Sequence, residues 1–273
     1  MMTILVILMI LLLLYALIIR GRVGEKKLED LRYWVYAHRG LHDKDAGVPE
    51  NSMLAFRKAL ERGYGIELDV HLLKDGGLAV IHDSSLKRTA GADVNIEDLT
   101  LDQMWNYRLE GTDEMIPTLR QVLDLYNGQA PLIIELKAAN GNAAKLAEAV
   151  SNSLKHYHGA YCIESFDPRC LTWLKRNRPD IIRGQLSMNF MKYSAGMGRF
   201  VDFILTYLFS NLMTKPDFIA YRFEDRKNLS NLLCLYLWRM QGASWTITKQ
   251  ETFESCVQES LLPIFEQFEP HLF

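Results

Sequence analysis

Four clusters of ionisable side chains sit at the ends of short apolar runs in the first half of the chain. They are His38-Arg39-Gly40, Glu67-x-Asp69, His82-Asp83 and Glu135-x-Lys137. Imidazoles exchange protons near neutral pH, three carboxylates suit a hard divalent cation, and an Arg with a Lys suits a phosphate. The combined chemistry is metal-assisted cleavage of a phosphodiester.

Glu67 and Asp69 are two apart in a strand-like run, so both point to one face. Adjacent carboxylates repel and tolerate one another best around a cation. Glu135 completes the set, and three oxygen ligands with room for water fit Mg²⁺ or Ca²⁺. The plainer alternative is a salt-bridged structural cluster. His38 and His82 are the acid–base candidates, because diester cleavage needs one group to activate a nucleophile and another to protonate the leaving alkoxide. A lone histidine is more often structural, but these two each close an apolar run beside a charged residue. Which one is the acid stays open. Arg39 is expected to hold phosphate through its forked donors, and Lys137 shares a face with Glu135. Glu50 is read as a site residue or as the ion-pair partner of Arg39. Asn51 or Ser52 caps the helix that follows, with Asn51 at the edge of the site. Phe166 and Trp245 fall at strand ends, where they wall the pocket or pack in the core.

Other histidines carry less. His71 shares a face with Glu67 and Asp69 but is expected to lie beyond the metal, and His42 is in a nearby loop. His156, His158 and His271 have no local chemistry around them. No Cys–His zinc spacing, GxxxxGK[ST] loop or G-x-S-x-G elbow occurs, so nucleotide and serine-triad hydrolysis have no support.

The elements that must position these groups alternate strand and helix. Strand-like runs fall at Trp34–Ala37, Gly65–His71, Leu132–Leu136, Tyr161–Ser165, Ile181–Leu186, Asp217–Tyr221, Ser244–Ile247 and Leu262–Phe265. Eight such segments separated mostly by helical patterns predict a parallel (β/α)₈ TIM barrel, whose chemistry gathers on the loops at the C-terminal strand ends. Leu78–Ile81 is an extra strand joined to the second by the turn residues Lys74-Asp75-Gly76-Gly77. The stretch from Ser84 to Ile116, with a helix expected at Ile96–Tyr107, forms a small insertion. The 273 residues, 49% hydrophobic, suffice for one such core plus an anchor. A net charge of −2 with mixed signs leaves no basic stripe for nucleic acid. Cys162, Cys170, Cys234 and Cys256 show no pairing rhythm and read as buried or free thiols.

These motifs resemble the glycerophosphodiester phosphodiesterase family. The matching pieces are His38-Arg39-Gly40, Pro49-Glu50-Asn51-Ser52, Glu67-Leu68-Asp69-Val70, Lys74-Asp75-Gly76, His82-Asp83, Ile116-Pro117-Thr118-Leu119, Glu135-Leu136-Lys137, Ser165-Phe166 and Trp245-Thr246, in order along most of the chain after its first turns. The resemblance implies a barrel with an insertion after the second strand. It also implies catalysis by both His38 and His82, and metal ligation by Glu67, Asp69 and Glu135. For a glycerol diester the products would be sn-glycerol 3-phosphate and an alcohol. Two other readings remain: a related barrel that releases a cyclic phosphate in the manner of phospholipase C or sphingomyelinase D, and a membrane-bound binding protein without turnover.

Met2–Ile19 has no charged residue and is long enough to span a bilayer as a helix, whose lower limit is about 17 residues. No basic residue precedes it and no small-residue cleavage site follows, which favours an uncleaved anchor over a signal peptide. Arg20, Arg22, Lys26, Lys27 and Arg32 crowd the following flank, so the positive-inside rule puts the rest of the chain in the cytoplasm. The expected organisation is an anchor at 1–20, a linker at 21–33 and a catalytic barrel at 34–273.

One apolar region stands out. Met188–Gly198, with Phe190, Met191, Tyr193 and Met197, starts at a strand's C-terminal end and should hang over the site. In Phe200–Met213 the residues Phe200, Phe203, Ile204, Tyr207, Leu208, Asn211 and Leu212 have helical spacing and are expected to face the barrel. Asn228–Met240 is apolar nearly all round. Such helices are buried somewhere: against a neighbouring element or a dimer partner, or against the bilayer surface or the anchor. If the last holds, lysophospholipids or lipid-linked glycerophosphodiesters become candidate substrates.

Overall fold

The computed structural model describes residues 2–24, 28–193 and 198–271. Lys26, Lys27 and Met197, used in the reading above, lie outside them.

In chain order the elements are α1 (Met2–Ile19), α2 (Glu29–Arg32), β1 (Tyr36–His38), α3 (Met53–Glu61), β2 (Gly65–Leu72), β3 (Leu78–Val80), α4 (Lys87–Ala90), α5 (Leu101–Met104), α6 (Leu119–Tyr126) and β4 (Leu132–Leu136). There follow α7 (Ala143–Ser153), β5 (Tyr161–Ser165), α8 (Pro168–Asn177), β6 (Arg183–Ser187), α9 (Phe190–Tyr193), α10 (Arg199–Thr206) and α11 (Asn211–Thr214). Last come β7 (Phe218–Arg222), α12 (Leu229–Leu232), β8 (Gln241–Ile247), α13 (Gln250–Gln258) and β9 (Leu262–Phe265). The parallel strands run β1-β2-β4-β5-β6-β7-β8-β9 and close through β1–β9. This is the predicted (β/α)₈ barrel. β3 folds back antiparallel on the upper half of β2, pairing Val80 with Val70.

Strand alternation sorts the side chains. On β2, Ile66, Leu68 and Val70 face out into the core shared with α3, α6 and α7, while Glu67 and Asp69 face inward. On β4, Leu132, Ile134 and Leu136 join the outer core, and Ile133 and Glu135 face in. Each fully buried aliphatic side chain contributes about 1.5–3 kcal/mol relative to exposure, so this pattern fixes which face carries the carboxylates. The lower interior is apolar: Tyr36, Ile133, Cys162, Ile182, Phe218 and Ile264 fill it. Leu28 and Leu31 cap it from below, and the Tyr36 hydroxyl donates to the Leu31 carbonyl at 2.9 Å. Part of the stretch read as a linker is thus the floor of the barrel. All four cysteines are buried free thiols.

Three helical expectations need correction. Ile96–Tyr107 is not one helix. A 3₁₀ turn at Ile96–Asp98 ends at an extended Leu99, and α5 restarts under a capping box of Thr100 and Gln103. The 200–213 segment is broken between α10 and α11, where Leu208 takes a φ of +58°. That break lets α10 and α11 turn independently: Leu208 and Asn211 of the expected inner face are buried, but α10 turns Asp202, Leu205 and Thr206 inward, and Phe200, Phe203 and Leu212 are exposed. Residues 228–240 are a turn of α-helix followed by a π-helical turn at Leu233–Leu237. Leu233, Cys234, Trp238 and Met240 of this stretch pack with Leu208 and Ile219 on Ile19 of α1, while Leu229, Tyr236 and Leu237 are exposed.

Candidate active site

The site forms where β1, β2 and β4 end. Register places Glu67 beside His38, Asp69 beside Glu135, and Glu135 beside Glu164 of β5. Glu67, Asp69 and Glu135 each present an oxygen within 4.8 Å of the others, and all three are buried. Glu67 Oε1 and Asp69 Oδ1 have no hydrogen-bond partner. Lys137 Nζ lies 2.8 Å from Glu135 Oε1 and 3.1 Å from Asp69 Oδ1, the latter an ion pair without hydrogen-bond alignment. Burial, reinforced by the neighbouring carboxylates Asp69, Glu135 and Glu164, drives the Glu67 carboxyl well above its ordinary range. Burial likewise carries Glu135 up to about 7 despite Lys137. Burial opposes ionisation of Asp69 too, but Lys137, His82, Arg39 and His38 outweigh it and hold that carboxyl low. Buried, orphaned carboxylate oxygens crowded this closely fit a hard divalent cation.

Each histidine leans on a carboxylate. His38 Nδ1 is 2.6 Å from Glu266 Oε2, and His82 Nδ1 is 2.6 Å from Asp83 Oδ1. The carboxylate on Nδ1 selects the Nδ1–H tautomer and leaves Nε2 as the working nitrogen. His38 Nε2 faces Glu67 Oε2 at 3.8 Å. Burial lowers both imidazoles, His82 to about 4, so both are neutral at pH 7.

Arg39 sits in the left-handed region at φ +56°, followed by Gly40 at +80°. A side chain on Gly40 would meet Ala55 and Phe56 at 2.9 Å, so both the turn and the close approach of α3 require glycine here. This turn aims the Arg39 backbone N–H at Glu67 Oε2, 3.2 Å away, and its guanidinium at Glu50 and Asp69, 3.0 and 3.4 Å away. Left-handed backbone at a non-glycine residue is the kind of strain that functional sites hold. Asn51, expected at the edge, is buried within the site and donates to Asp69 Oδ2 at 2.8 Å. Ser52 is the cap of α3. Glu50 bridges Arg39 to Arg88, and Arg88 donates to Asp83 Oδ2 at 2.6 Å. The chain Arg39–Glu50–Arg88–Asp83–His82 therefore links the two loops.

His38, Arg39, Glu67, His82, Glu135 and Lys137 line one cavity of about 90 Å³, together with Phe166, Leu186 and Trp245. Phe166 stands edge-on to both Trp245 and Phe190, with ring centroids 5.5 and 5.9 Å apart. A larger polar cleft of about 770 Å³ lies outside it behind Glu50, Arg88 and Glu266. It holds neither the triad nor the two working histidines, so the smaller cavity is the site. His71 lies outside the cavity as expected. Its ring nitrogens lie 2.6 Å from Glu97 and 3.1 Å from the His82 carbonyl, so it ties the insertion to the His82 loop. His42 stands behind Glu266 at 3.7 Å, and His156 and His158 line a separate cleft before β5.

Sequence reasoning missed Glu266, Arg88 and Glu164. Glu266 follows the last apolar strand, a position that signals the barrel mouth. Glu164 faces inward two residues after Cys162 on β5, and that alternation was available. Arg88 lies in the insertion and carries no such signal.

A profile of the glycerophosphoryl diester phosphodiesterase family matches residues 38–209. A glycerophosphodiester phosphodiesterase of Caldanaerobacter subterraneus subsp. tengcongensis is 35% identical over 56% of this chain, which spans 65% of that relative's length. A rat lysophospholipase D is 35% identical over 40% of this chain and 37% of its own. A solved phosphodiesterase of Oleispira antarctica, in complex with the product sn-glycerol-3-phosphate, is similar in fold. Its TM-score is 0.72 at 20% identity, over 90% of this chain and 95% of that one. With a barrel of this topology and a match across well over half its length, the chain belongs to the glycerophosphoryl diester phosphodiesterase family.

Proposed function

We propose that the protein is a membrane-anchored, metal-dependent phosphodiesterase that cleaves glycerophosphodiesters, including lysophospholipids or lipid-linked ones. The products are sn-glycerol 3-phosphate, or another phosphomonoester, and an alcohol. The observation that carries this is one cavity lined by two histidines, each with Nδ1 on a carboxylate, beside three buried carboxylates and two cations. Glu67, Asp69 and Glu135 hold Mg²⁺ or Ca²⁺, which when bound supplies charge stabilisation at the phosphate in the transition state.

Arg39 and Lys137 hold the non-bridging oxygens, with Glu50 setting the guanidinium. At Nε2 one histidine takes the proton of the attacking water as the new P–O bond forms; if the neighbouring glycerol hydroxyl attacks first, water then opens the cyclic phosphate in the same way to give the monoester. The other, protonated beside the anionic phosphate, gives its proton to the departing oxygen as the old P–O bond breaks. Asp83 and Glu266 keep both rings oriented. Phe166 and Trp245 receive the alcohol side of the substrate.

In this reading the apolar helix within residues 1–20 anchors the chain in the cell membrane, and the barrel from residue 34 lies in the cytoplasm, on the side of Arg20, Arg22 and Arg32. The names of the relatives above support the substrate class. The test is product assignment with purified full-length protein in detergent, offered glycerophosphocholine and a lysophosphatidylcholine with Mg²⁺ or Ca²⁺. Free choline with a phosphomonoester supports the reading. Phosphocholine or a cyclic phosphate points to the phospholipase-like route, and tight binding without product to a binding protein.

A further inference from the structure

α1 is not a helix on a flexible tether. Its last carbonyls, which a helix end leaves without partners, are claimed by barrel side chains. Trp238 Nε1 donates to the Ala16 carbonyl at 2.8 Å, Asn211 Nδ2 to the Ile19 carbonyl at 2.7 Å, and Lys215 Nζ to the Arg20 carbonyl at 2.9 Å. Ala16 and Ile19 are buried, and the Tyr15 hydroxyl lies 2.7 Å from Ser230 Oγ. Arg22 follows, its backbone N–H on the Pro216 carbonyl and its guanidinium on Asp217, both just before β7.

These contacts also fix a direction. Arg22 meets the start of β7, Ile19 packs with Ile219 in its middle, and Tyr15 contacts Tyr207, next to Thr206, whose carbonyl accepts from Tyr221 near the strand's end. α1 therefore runs antiparallel to β7, from the barrel's C-terminal face down to its floor. The residues before Tyr15 continue past that face, where the cavity opens. Met2–Leu14, at 1.5 Å per residue, amount to about 20 Å of apolar helix, exposed throughout.

We infer that α1 and the exposed apolar rim beside it seat the catalytic face of the barrel on the lipid bilayer. The rim belongs to the segments that follow β6 and β7. Phe200 is 75% exposed, Leu229 57% and Phe203 42%. Phe203 stacks on Phe209, which packs on Tyr15 of α1, so the apolar surface is continuous from rim to helix. Lys192 and Arg199 are exposed on the same segment, with the sign that anionic headgroups attract. An apolar surface flanked by cations and continuous with an apolar helix matches the acyl–headgroup boundary. On the inner side, the edge-on series Phe190–Phe166–Trp245 leads from this segment to the cavity wall. A phosphodiester with an acyl chain then enters from the membrane, its phosphate leading to Arg39 and Lys137. The orientation rests on the proposed membrane anchorage and not on turnover.

The test uses full-length protein in vesicles containing brominated phosphatidylcholine. A bimane label is placed at Phe200→Cys, Leu229→Cys or, at the barrel's other end, Lys155→Cys. The native cysteines are buried and stay unlabelled. Labels at 200 and 229 should be quenched at least about two-fold, as expected for groups about 5–10 Å into the acyl boundary, with the label at 155 unchanged. Unquenched rim labels, or equal quenching at 155, overturn the inference, including the case where light scattering shows a second copy covering the rim. In a second arm, the Phe200→Ser/Phe203→Ser/Leu229→Ser variant, checked for an unchanged melting temperature, should turn over vesicle-borne lysolipid about ten-fold more slowly, the order expected for losing an apolar membrane contact. Soluble glycerophosphocholine should be cleaved as before, and equal rates on both substrates count against the inference. Quenching at the rim without turnover of either substrate leaves the seat standing and refutes the phosphodiesterase reading.

Discussion

The cavity has two unlike sides. The arc built by β1, β2 and β4 carries His38, Arg39, Glu67, Asp69, Glu135 and Lys137, with His82 from the loop beyond β3. The arc built by β5, β6, β8 and β9 offers Phe166, Leu186, Trp245 and Ile264, with Glu164 the ionisable exception. On the proposed function, the division would orient a phosphodiester before chemistry begins, with phosphate and cation on the charged arc and the carbon chain of the alcohol on the apolar arc. The charged arc also holds its own structure in tension, since its carboxylates outnumber its cations, whereas the apolar arc is ordinary packing. Damage to the first should abolish the reaction, and damage to the second should change what is bound.

The largest effect is expected from His38→Ala and His82→Ala. Each should lower kcat by about 10²–10⁴-fold, the usual weight of one general acid or base, with KM little changed. Steady-state kinetics on glycerophosphocholine check this. Glu266→Gln and Asp83→Asn leave the imidazoles in place but remove their orienting charge. Losses of about 10–100-fold are expected, by analogy with carboxylates that orient metal-bound histidines. If either matched the alanine variants, the carboxylate would be more than a positioning residue.

Trp245→Ala on the apolar arc should raise KM for a lysophospholipid about ten-fold, the scale of lost apolar contact in a pocket, and leave kcat within about two-fold for a small soluble diester. An equal kcat loss on both substrates would erase the distinction between the arcs.

The smallest effect is on stability. Glu135, pushed from 4.5 up to about 7 mainly by burial, keeps its proton in the folded chain over a pH window where the unfolded chain has lost it. The folded state binds more protons there, so without a cation stability falls as pH rises from about 4.5 to 7. A divalent cation competes with that proton. The rise in melting temperature on adding Mg²⁺ or Ca²⁺ should therefore be larger at pH 7.5 than at pH 5, at about 2–4 °C per kcal/mol for a chain of this size. A cation shift independent of pH would place the ion elsewhere.

The charged arc was the legible one, for a physical reason. Its residues are set by period-two alternation and by strand ends, so Glu67, Asp69, Glu135 and both histidine loops could be placed from local pattern alone. Glu266 reaches His38 across 228 positions, and only closure of β9 on β1 brings them together. Asn51 looked like a cap at the rim, because nothing in the sequence shows that its φ of +53° turns it inward to Asp69. The barrel itself followed from its eight apolar runs. The 200–213 segment was misread because a single left-handed residue, Leu208, breaks the helical phase that the pattern assumed. Docking of α1 was legible only as one of several covers for the apolar stretches on either side of β7, because its partners Asn211, Trp238 and Lys215 are ordinary residues until the fold places them at a helix end.

The most direct test of the account is cation-dependent release of phosphomonoester by the purified full-length protein in detergent, wild type against Glu67→Ala, with Mg²⁺ or Ca²⁺ and with EDTA. The account predicts turnover of a glycerophosphodiester that EDTA abolishes, that added cation restores, and that Glu67→Ala lacks at any cation concentration. Turnover indifferent to EDTA and to Glu67→Ala would contradict it, as would a folded, cation-loaded wild type that cleaves no glycerophosphodiester.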